Sequence, residues 1–444
     1  MNPATRLLRL FVDVKKREVE PALLFFFFWF LVIVVFWVLK PLKTGLFLAP
    51  LGDQGAETEL YAKLMNIGVA LLAVWLFSGL FNRLGSRRLI PALCVLFVFA
   101  LGWFSTTMGD PGAPGAFKYW AFYLFGDAWT TIWVTTFWAY LNEMTVTEQS
   151  KRLYGLIGGG GIIGGLVGAT VVSTFVESAG IPTLILGTVG ATILLGLIAF
   201  RIEMLASKPE APIGRGREET RIVRVEEKKK NAAIDGARLA LTSRYLFAIV
   251  MIVFLYEFAS QILDFQFKNE LESLEGEVAI SAFFADIGII INSVSIIAQF
   301  FVFSFVVRRF GITAALLITP AAMLISSGVY FAIPVLWAGS LLTISDNSLS
   351  YSLNQTSRET LFVPTDPDVK YKARAFANMF VQRFGKGIAI LMALGLTAFP
   401  IRFLSILAAI VIFLWAGFAW YAGKRFDEQT GGGAERRLEE ALGK

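Results

Sequence analysis

The chain has 444 residues, 56% of them hydrophobic and only 17% charged, where soluble domains carry about 25% charged residues, so composition alone places it in a membrane. It has no histidine and a single cysteine, Cys94, which removes the commonest general base, the commonest metal ligand and any internal disulfide. The formal net charge of +6 fits basic loops facing anionic lipid better than a nucleic-acid surface.

Runs long enough to cross about 30 Å of hydrocarbon fall at 21–40, 62–81, 88–106, 118–141, 153–176 and 181–200, then at 245–264, 281–306, 313–333, 334–355, 374–398 and 401–422. The first, PALLFFFFWFLVIVVFWVLK, follows Arg6, Arg9, Lys15, Lys16 and Arg17. It lacks a small-residue cleavage site and is too long for a signal peptide, so it is expected to stay as a helix. Cys94 reads as a buried structural thiol. The glycines of GLIGGGGIIGGLVGAT (155–170) follow no strand and precede no Gly-Lys-Ser/Thr, so they are expected to pack helices and not to cradle phosphate. The stripe Trp120, Trp129, Trp133, Trp138 reads as core packing and interfacial anchoring ahead of base stacking. The polar stretch 201–244 carries mixed charge without stacking aromatics, which argues against nucleic acid. The ending GGGAERRLEEALGK reads as a flexible, dispensable tail.

Lys/Arg bias orients the spans. Arg83, Arg87, Arg88, Lys151, Arg152, the 201–244 linker, Arg308, Arg309, Lys370, Lys372 and Arg374 fall on one side. The alternate loops are acidic, with Asp53, Glu57 and Glu59 in one and Glu270, Glu272, Glu275 and Glu277 in another. Both termini are therefore expected on the cytoplasmic side. FNRLGSRR (81–88) resembles VVRRFGIT (306–313), and AYLNEMTVTEQSKR (139–152) resembles YSLNQTSRET (351–360), as a duplicated unit requires. The expected fold is all-α, major-facilitator-like, with 12 transmembrane helices in two pseudo-symmetric six-helix bundles. Its parts would be a cytoplasmic segment 1–20, a bundle 21–200, a linker 201–244, a bundle 245–422 and a tail 423–444.

Within that frame the charged residues inside spans carry the chemistry, because each costs about 2.5–3.5 kcal/mol at a helix centre unless compensated. They are Lys40, Lys43, Asp127, Glu257, Asp264, Asp286, Asp346, Arg383 and Lys386. In VQRFGKGIAIL (381–391) Arg383 and Lys386 share a helix face. Lys43 and Lys386, from opposite halves, are expected to converge on one cavity. The compensating partner of Lys386 is expected to be an anionic solute, most economically a phosphate. Asn142 and Asn354, at matching places in the repeat, join Lys43, Lys386, Arg383, Asp127, Tyr123 and Asp346 as candidate substrate contacts. Glu257, Asp264 and Asp286 are candidate coupling or ion-pair groups. No metal or cofactor site is expected.

Three stretches carry a family resemblance: VLKPLKTGLFLAPLGDQGAE (38–57), FWAYLNEMTVTEQSKRLYGLIGGGG (137–161) and YSLNQTSRETLFVPTDPDVKYKARAFANMFVQRFGKG (351–387). They resemble the bacterial and plastid ATP/ADP translocase family. The resemblance implies nucleotide exchange across a membrane through buried lysines and glutamates, with Lys43 and Lys386 matching two family lysines and an extended loop after the first. Where the family has a glutamate before Leu-Trp-Gly, this chain has Tyr123 before Leu124-Phe125-Gly126, and Asp127 follows one turn later on the same face. In span seven the matching place falls near Gln261 or Ile262, with Asp264 close by. The leading expectation is a monomeric secondary transporter of a nucleotide or similar phosphorylated anion. The competing readings are a facilitator of a lipid head group or proton-coupled organic anion, with Asp127 or Glu257 carrying the proton, and a non-transporting scaffold docking through FFFFWF. An enzyme is not expected, since no nucleophile with a recognisable base stands out.

Overall fold

In hydrocarbon a chain must satisfy its own backbone N–H and C=O groups, which an α-helix does within one segment. The computed structural model describes residues 16–108, 115–145, 147–207, 237–238, 242–365 and 367–441, and the expected apolar runs lie on helix. In chain order these are α1 Val19–Leu48, α2 Gly55–Met108, α3 Gly115–Met144, α4 Thr147–Ala179 and α5 Ile181–Ala206. Then come α6 Arg244–Leu271, α7 Glu277–Ile297, α8 Phe303–Ala332, α9 Leu336–Leu349 and α10 Gln355–Leu361. Last are α11 Pro367–Phe376, α12 Gln382–Gly395 and α13 Leu404–Ala441. π turns at Ala298–Val302, Ser350–Asn354 and Ala377–Val381 join α7 to α8, α9 to α10 and α11 to α12.

Among the described residues, eight stretches are long and apolar enough to cross a membrane, from Val19–Ala73 to Ile401–Gln429. The runs outside that set have local reasons. α9 and α12 each hold 14 residues before or after a π turn. α3 is full length but rich in Trp, Tyr and Thr. α2 covers two expected spans, bent where Gly85 takes φ 66°, and α8 bends likewise at Gly311, φ 80°. A side chain is strained at such φ and glycine is not. FNRLGSRR and VVRRFGIT thus put the same left-handed glycine at matching places, which gives the sequence repeat a backbone counterpart.

Three expectations are corrected. The extended loop after Lys43 is mostly helical: α1 continues through Pro41 to Leu48, and a short 3-10 turn, Ala49–Gln54, hands over to α2. The acidic loops are tied down: Glu59, 2% exposed, pairs with the buried Lys268 at 3.5 Å, and Glu270 accepts from Tyr330 at 2.6 Å. The polar tail is helical, α13 running on to Ala441. Most of the 201–244 linker lies outside the described residues.

The chain divides into two units. The first takes the described residues of 1–55, 61–226 and 274–289, and the second those of 56–60, 227–273 and 290–444. In unit one, α1 packs on α3, α4 and α5. Cβ atoms added at Gly160 and Gly164 of α4 would lie 2.5 Å from the Phe26 and Phe30 carbonyl oxygens of α1, and one at Gly168 2.6 Å from that of Val34. The glycine run therefore packs helices, as expected: with lipid as apolar as leucine, close van der Waals approach must hold helices together. Trp129 and Trp133 are fully buried in the same core, and Cys94 is buried and free. The run FFFFWF is largely turned inward, with Phe25 and Phe28 in the core and Trp29 stacked on Phe137 at 4.5 Å, which leaves Phe27 as its exposed ring. That leaves little of the run free to serve as a docking face. In unit two, α6 packs on α9, α12 and α13, and α8 on α9 and α13.

Candidate functional site

Each unit holds one lysine–carboxylate–amide cluster. In unit one the α1 lysine Lys43 pairs with Asp127 of α3, their side chains 11% and 27% exposed. Asn66 of α2 donates its amide N–H to the other Asp127 oxygen at 2.5 Å. The Lys43 ammonium also sits 4.4 Å from the centre of the Tyr123 ring, a cation–π arrangement strengthened by desolvation. Tyr123 is 2% exposed and packs on Phe47 with ring centroids 4.7 Å apart. Gly126 makes room, since a Cβ there would stand 3.3 Å from Lys43 Cδ. The four-residue spacing of Tyr123 and Asp127 does put both beside one ligand, here the lysine.

In unit two, Lys386 of α12 lies 3.3 Å from Glu257 of α6. Gln382, one turn earlier, donates its amide N–H to the second Glu257 oxygen at 2.9 Å. Glu257 is 6% exposed, whereas the Lys386 side chain is half exposed. Gly385 lets the helices close, because a Cβ there would lie 3.0 Å from the Phe254 carbonyl oxygen. The expected partner of Lys386 is an anionic solute; in this structure a carboxylate, Glu257, stands against its ammonium. Arg383, on the same face, keeps one buried guanidinium nitrogen, Nη1, without a hydrogen-bond partner.

The remaining candidates fall elsewhere. Asp346 is 4% exposed and accepts from Tyr256 at 3.0 Å and Ser260 at 2.5 Å, a satisfied network within unit two. Asn354, in the π turn after α9, is 2% exposed with its Oδ1 lacking a hydrogen-bond partner. Asn142 is exposed and accepts from Tyr154. Asp286 is exposed and accepts from Ser173 at 2.5 Å. Asp264 is partly buried on α6. Lys40 sits 4.9 Å from the Trp37 ring.

Three residues were missed, Gln382 among them: it lies one turn before Lys386, and its carboxamide inside a span was the available signal. Asn66 stands in an apolar run, and a lone carboxamide there was the available signal. Arg358, in α10, is 4% exposed with Nε unpartnered, within electrostatic range of Glu257. It falls just past the last apolar run of its span, so a scan for charges inside spans passed over it.

Residues 112–346 match the family model described as TLC ATP/ADP transporter. The chain is 23% identical over 89% of its length, and 89% of the relative's, to ADP,ATP carrier protein 1 of Chlamydia pneumoniae. It is 20% identical to the chloroplastic ADP,ATP carrier protein 1 of Arabidopsis thaliana, covering 86% of this chain and 70% of that one. Among solved structures it resembles the POT family transporter PepTSo, with TM-score 0.60 at 11% identity over 94% of this chain and 99% of that one. It also resembles the nucleoside transporter NupG, with TM-score 0.58 at 14% identity over 93% and 99%. These neighbours share the major-facilitator architecture, and the fold is all-helical among the described residues. The relatives are carriers and not enzymes, and the chain belongs to the TLC ATP/ADP transporter family.

Proposed function

We propose that the protein is a secondary transporter that moves a nucleotide of the ATP/ADP kind, or a similar phosphorylated anion, by alternating access. The observation that carries this reading is the repeated cluster: Lys43 with Asp127 and Asn66, and Lys386 with Glu257 and Gln382. A buried charge is costly alone, Lys43 in one cluster and Glu257 in the other, and its partner offsets that cost while no solute is bound. A phosphate oxygen can take the place of the carboxylate at the ammonium, since both accept charge-assisted hydrogen bonds. The amide then matters: Asn66 or Gln382 still donates to the displaced carboxylate, so it is not left bare. The empty carrier is thus neutral at each cluster, and binding exchanges one anion for another.

Tyr123 lies where the family pattern has a glutamate, and the contact of Asp127 with Lys43 supports Asp127 as the substitute carboxylate. Arg383 and Arg358, each with a buried donor unpartnered, are suited to the remaining phosphate charge. In this reading the chain crosses the bacterial inner membrane twelve times as a monomer with both termini cytoplasmic, in bundles 21–200 and 245–422 joined by the linker 201–244. Thermal-shift titration with ATP, ADP, GTP and inorganic phosphate tests the anion site. The reading expects saturable stabilisation by nucleotide that Lys386→Ala nearly abolishes while the protein stays folded and monomeric. Unchanged affinity in that variant sinks the assignment of Lys386. Absence of any nucleotide response, with Asp127→Asn abolishing uptake of a different solute, transfers the fold to that solute.

A further inference from the structure

Within unit two, at the end where the chain enters α6 and α13 passes into its polar extension, a groove of about 690 Å³ runs between these two helices. Its floor is apolar, made by Phe247, Phe413, Leu414 and Phe418, of which Phe413 and Leu414 are 63% and 54% exposed. Phe247 and Phe418 meet edge to face, with ring centroids 6.0 Å apart. The rim carries two cations, Arg244 and Arg425. Both helices are long and apolar enough to span a membrane, over Arg244–Leu271 and Ile401–Gln429. The arginines therefore mark the depth of the head groups, and the aromatic floor lies toward the acyl region.

Charge asks for an anion here. Arg244 is the first residue of α6, and a cation at a helix N-terminus opposes the macrodipole by about 0.3–1 kcal/mol. The Ser243 cap satisfies the Leu246 N–H at 3.4 Å, leaving other first-turn donors for a ligand. Arg425 has an exposed i,i+3 contact with Glu428 at 2.8 Å and lies 5.8 Å from the Tyr421 ring. Exposed pairs of that kind contribute about 0–1 kcal/mol, so a phosphate displaces them readily. Asp427 is engaged with Thr313 at 3.0 Å.

We propose that this groove is a binding site for an acidic phospholipid of the surrounding membrane, its phosphate between Arg244 and Arg425 and an acyl chain along Phe247, Phe413 and Phe418. A basic pocket over an apolar cleft at a span end suits that ligand class and disfavours a zwitterionic head group. The site is independent of the transported solute, since it uses none of the cluster residues.

The test titrates the full-length protein in detergent with phosphatidylglycerol, and in parallel with phosphatidylcholine, by native mass spectrometry. The expected result is preferential retention of phosphatidylglycerol by about fivefold, a difference of about 1 kcal/mol. Arg244→Gln with Arg425→Gln should remove the preference. Leu414→Trp, which keeps both charges and fills the groove, should remove it too, and alone decides the matter if the double variant does not fold. Equal retention of the two lipids, or an undiminished preference in the folded variants, overturns the proposal. So does displacement of phosphatidylglycerol by inorganic phosphate added at equal concentration, which makes the site one for a free anion. A dimer lost on Leu414→Trp does the same, by making the groove an interface between copies of the chain.

Discussion

Asp127→Asn is the most informative single change, because it removes the countercharge of Lys43 and keeps the shape. Removing one member of a buried ion pair costs about 3–5 kcal/mol. With side chains 11% and 27% exposed, solvent screens part of that and brings the cost below that range, to about 2–3 kcal/mol. At about 1 °C per kcal/mol for a chain of this length, the empty protein should melt about 2–3 °C lower. Nucleotide should restore more stability to the variant than to the wild type, since its phosphate supplies the missing anion. Exchange in proteoliposomes should fall at least about tenfold, or about 1.4 kcal/mol, because the lysine no longer has a carboxylate to return to. Adding Lys43→Gln should recover melting temperature, both charges now being gone, without recovering exchange. Asp127→Asn with wild-type melting temperature and exchange within about twofold refutes the reasoning, and so does a double variant that transports.

Lys386→Arg should bind nucleotide more weakly than the wild type in the same titration, because a planar fork replaces a compact point charge beside Glu257. Gly164→Ala should lower the melting temperature in detergent by the equivalent of about 1–3 kcal/mol, its new methyl meeting the Phe30 carbonyl. Gly158→Ala in the same helix, with open space around it, should be neutral or slightly stabilising. In a Cys94→Ser background, cysteines placed at 215 and 435 should label from the cytoplasm and those at 54 and 274 from outside. Labelling of 54 and 215 from the same side contradicts the topology.

What the sequence disclosed follows from the length scale of each interaction. Hydrocarbon thickness sets a window that any apolar run reveals, so the helices were legible. The duplication was legible too, and Gly85 and Gly311 gave it a backbone reason. Asp127 and Tyr123 share a face by local spacing, so their association could be read. That both meet Lys43, 84 positions from Asp127, depends on packing through Gly126, which no local pattern announces. The same limit explains Lys386, whose partner Glu257 lies 129 positions earlier, a separation read directly from the two residue numbers. Glu59 and Glu270 looked like loop acids because hydropathy sees only neighbours in sequence, whereas Lys268 and Tyr330 hold them from other helices. Arg358 escaped because a polar stretch hides a buried cation as easily as an exposed one.

The central claim is that paired lysine–carboxylate clusters serve anion exchange. It is tested most directly by counter-exchange in proteoliposomes loaded with ADP and challenged with labelled ATP. The account predicts saturable uptake that requires internal nucleotide, survives collapse of a proton gradient, and is lost in both Lys43→Ala and Lys386→Ala. Uptake absent for every nucleotide, or present and unaffected by either lysine variant, contradicts it.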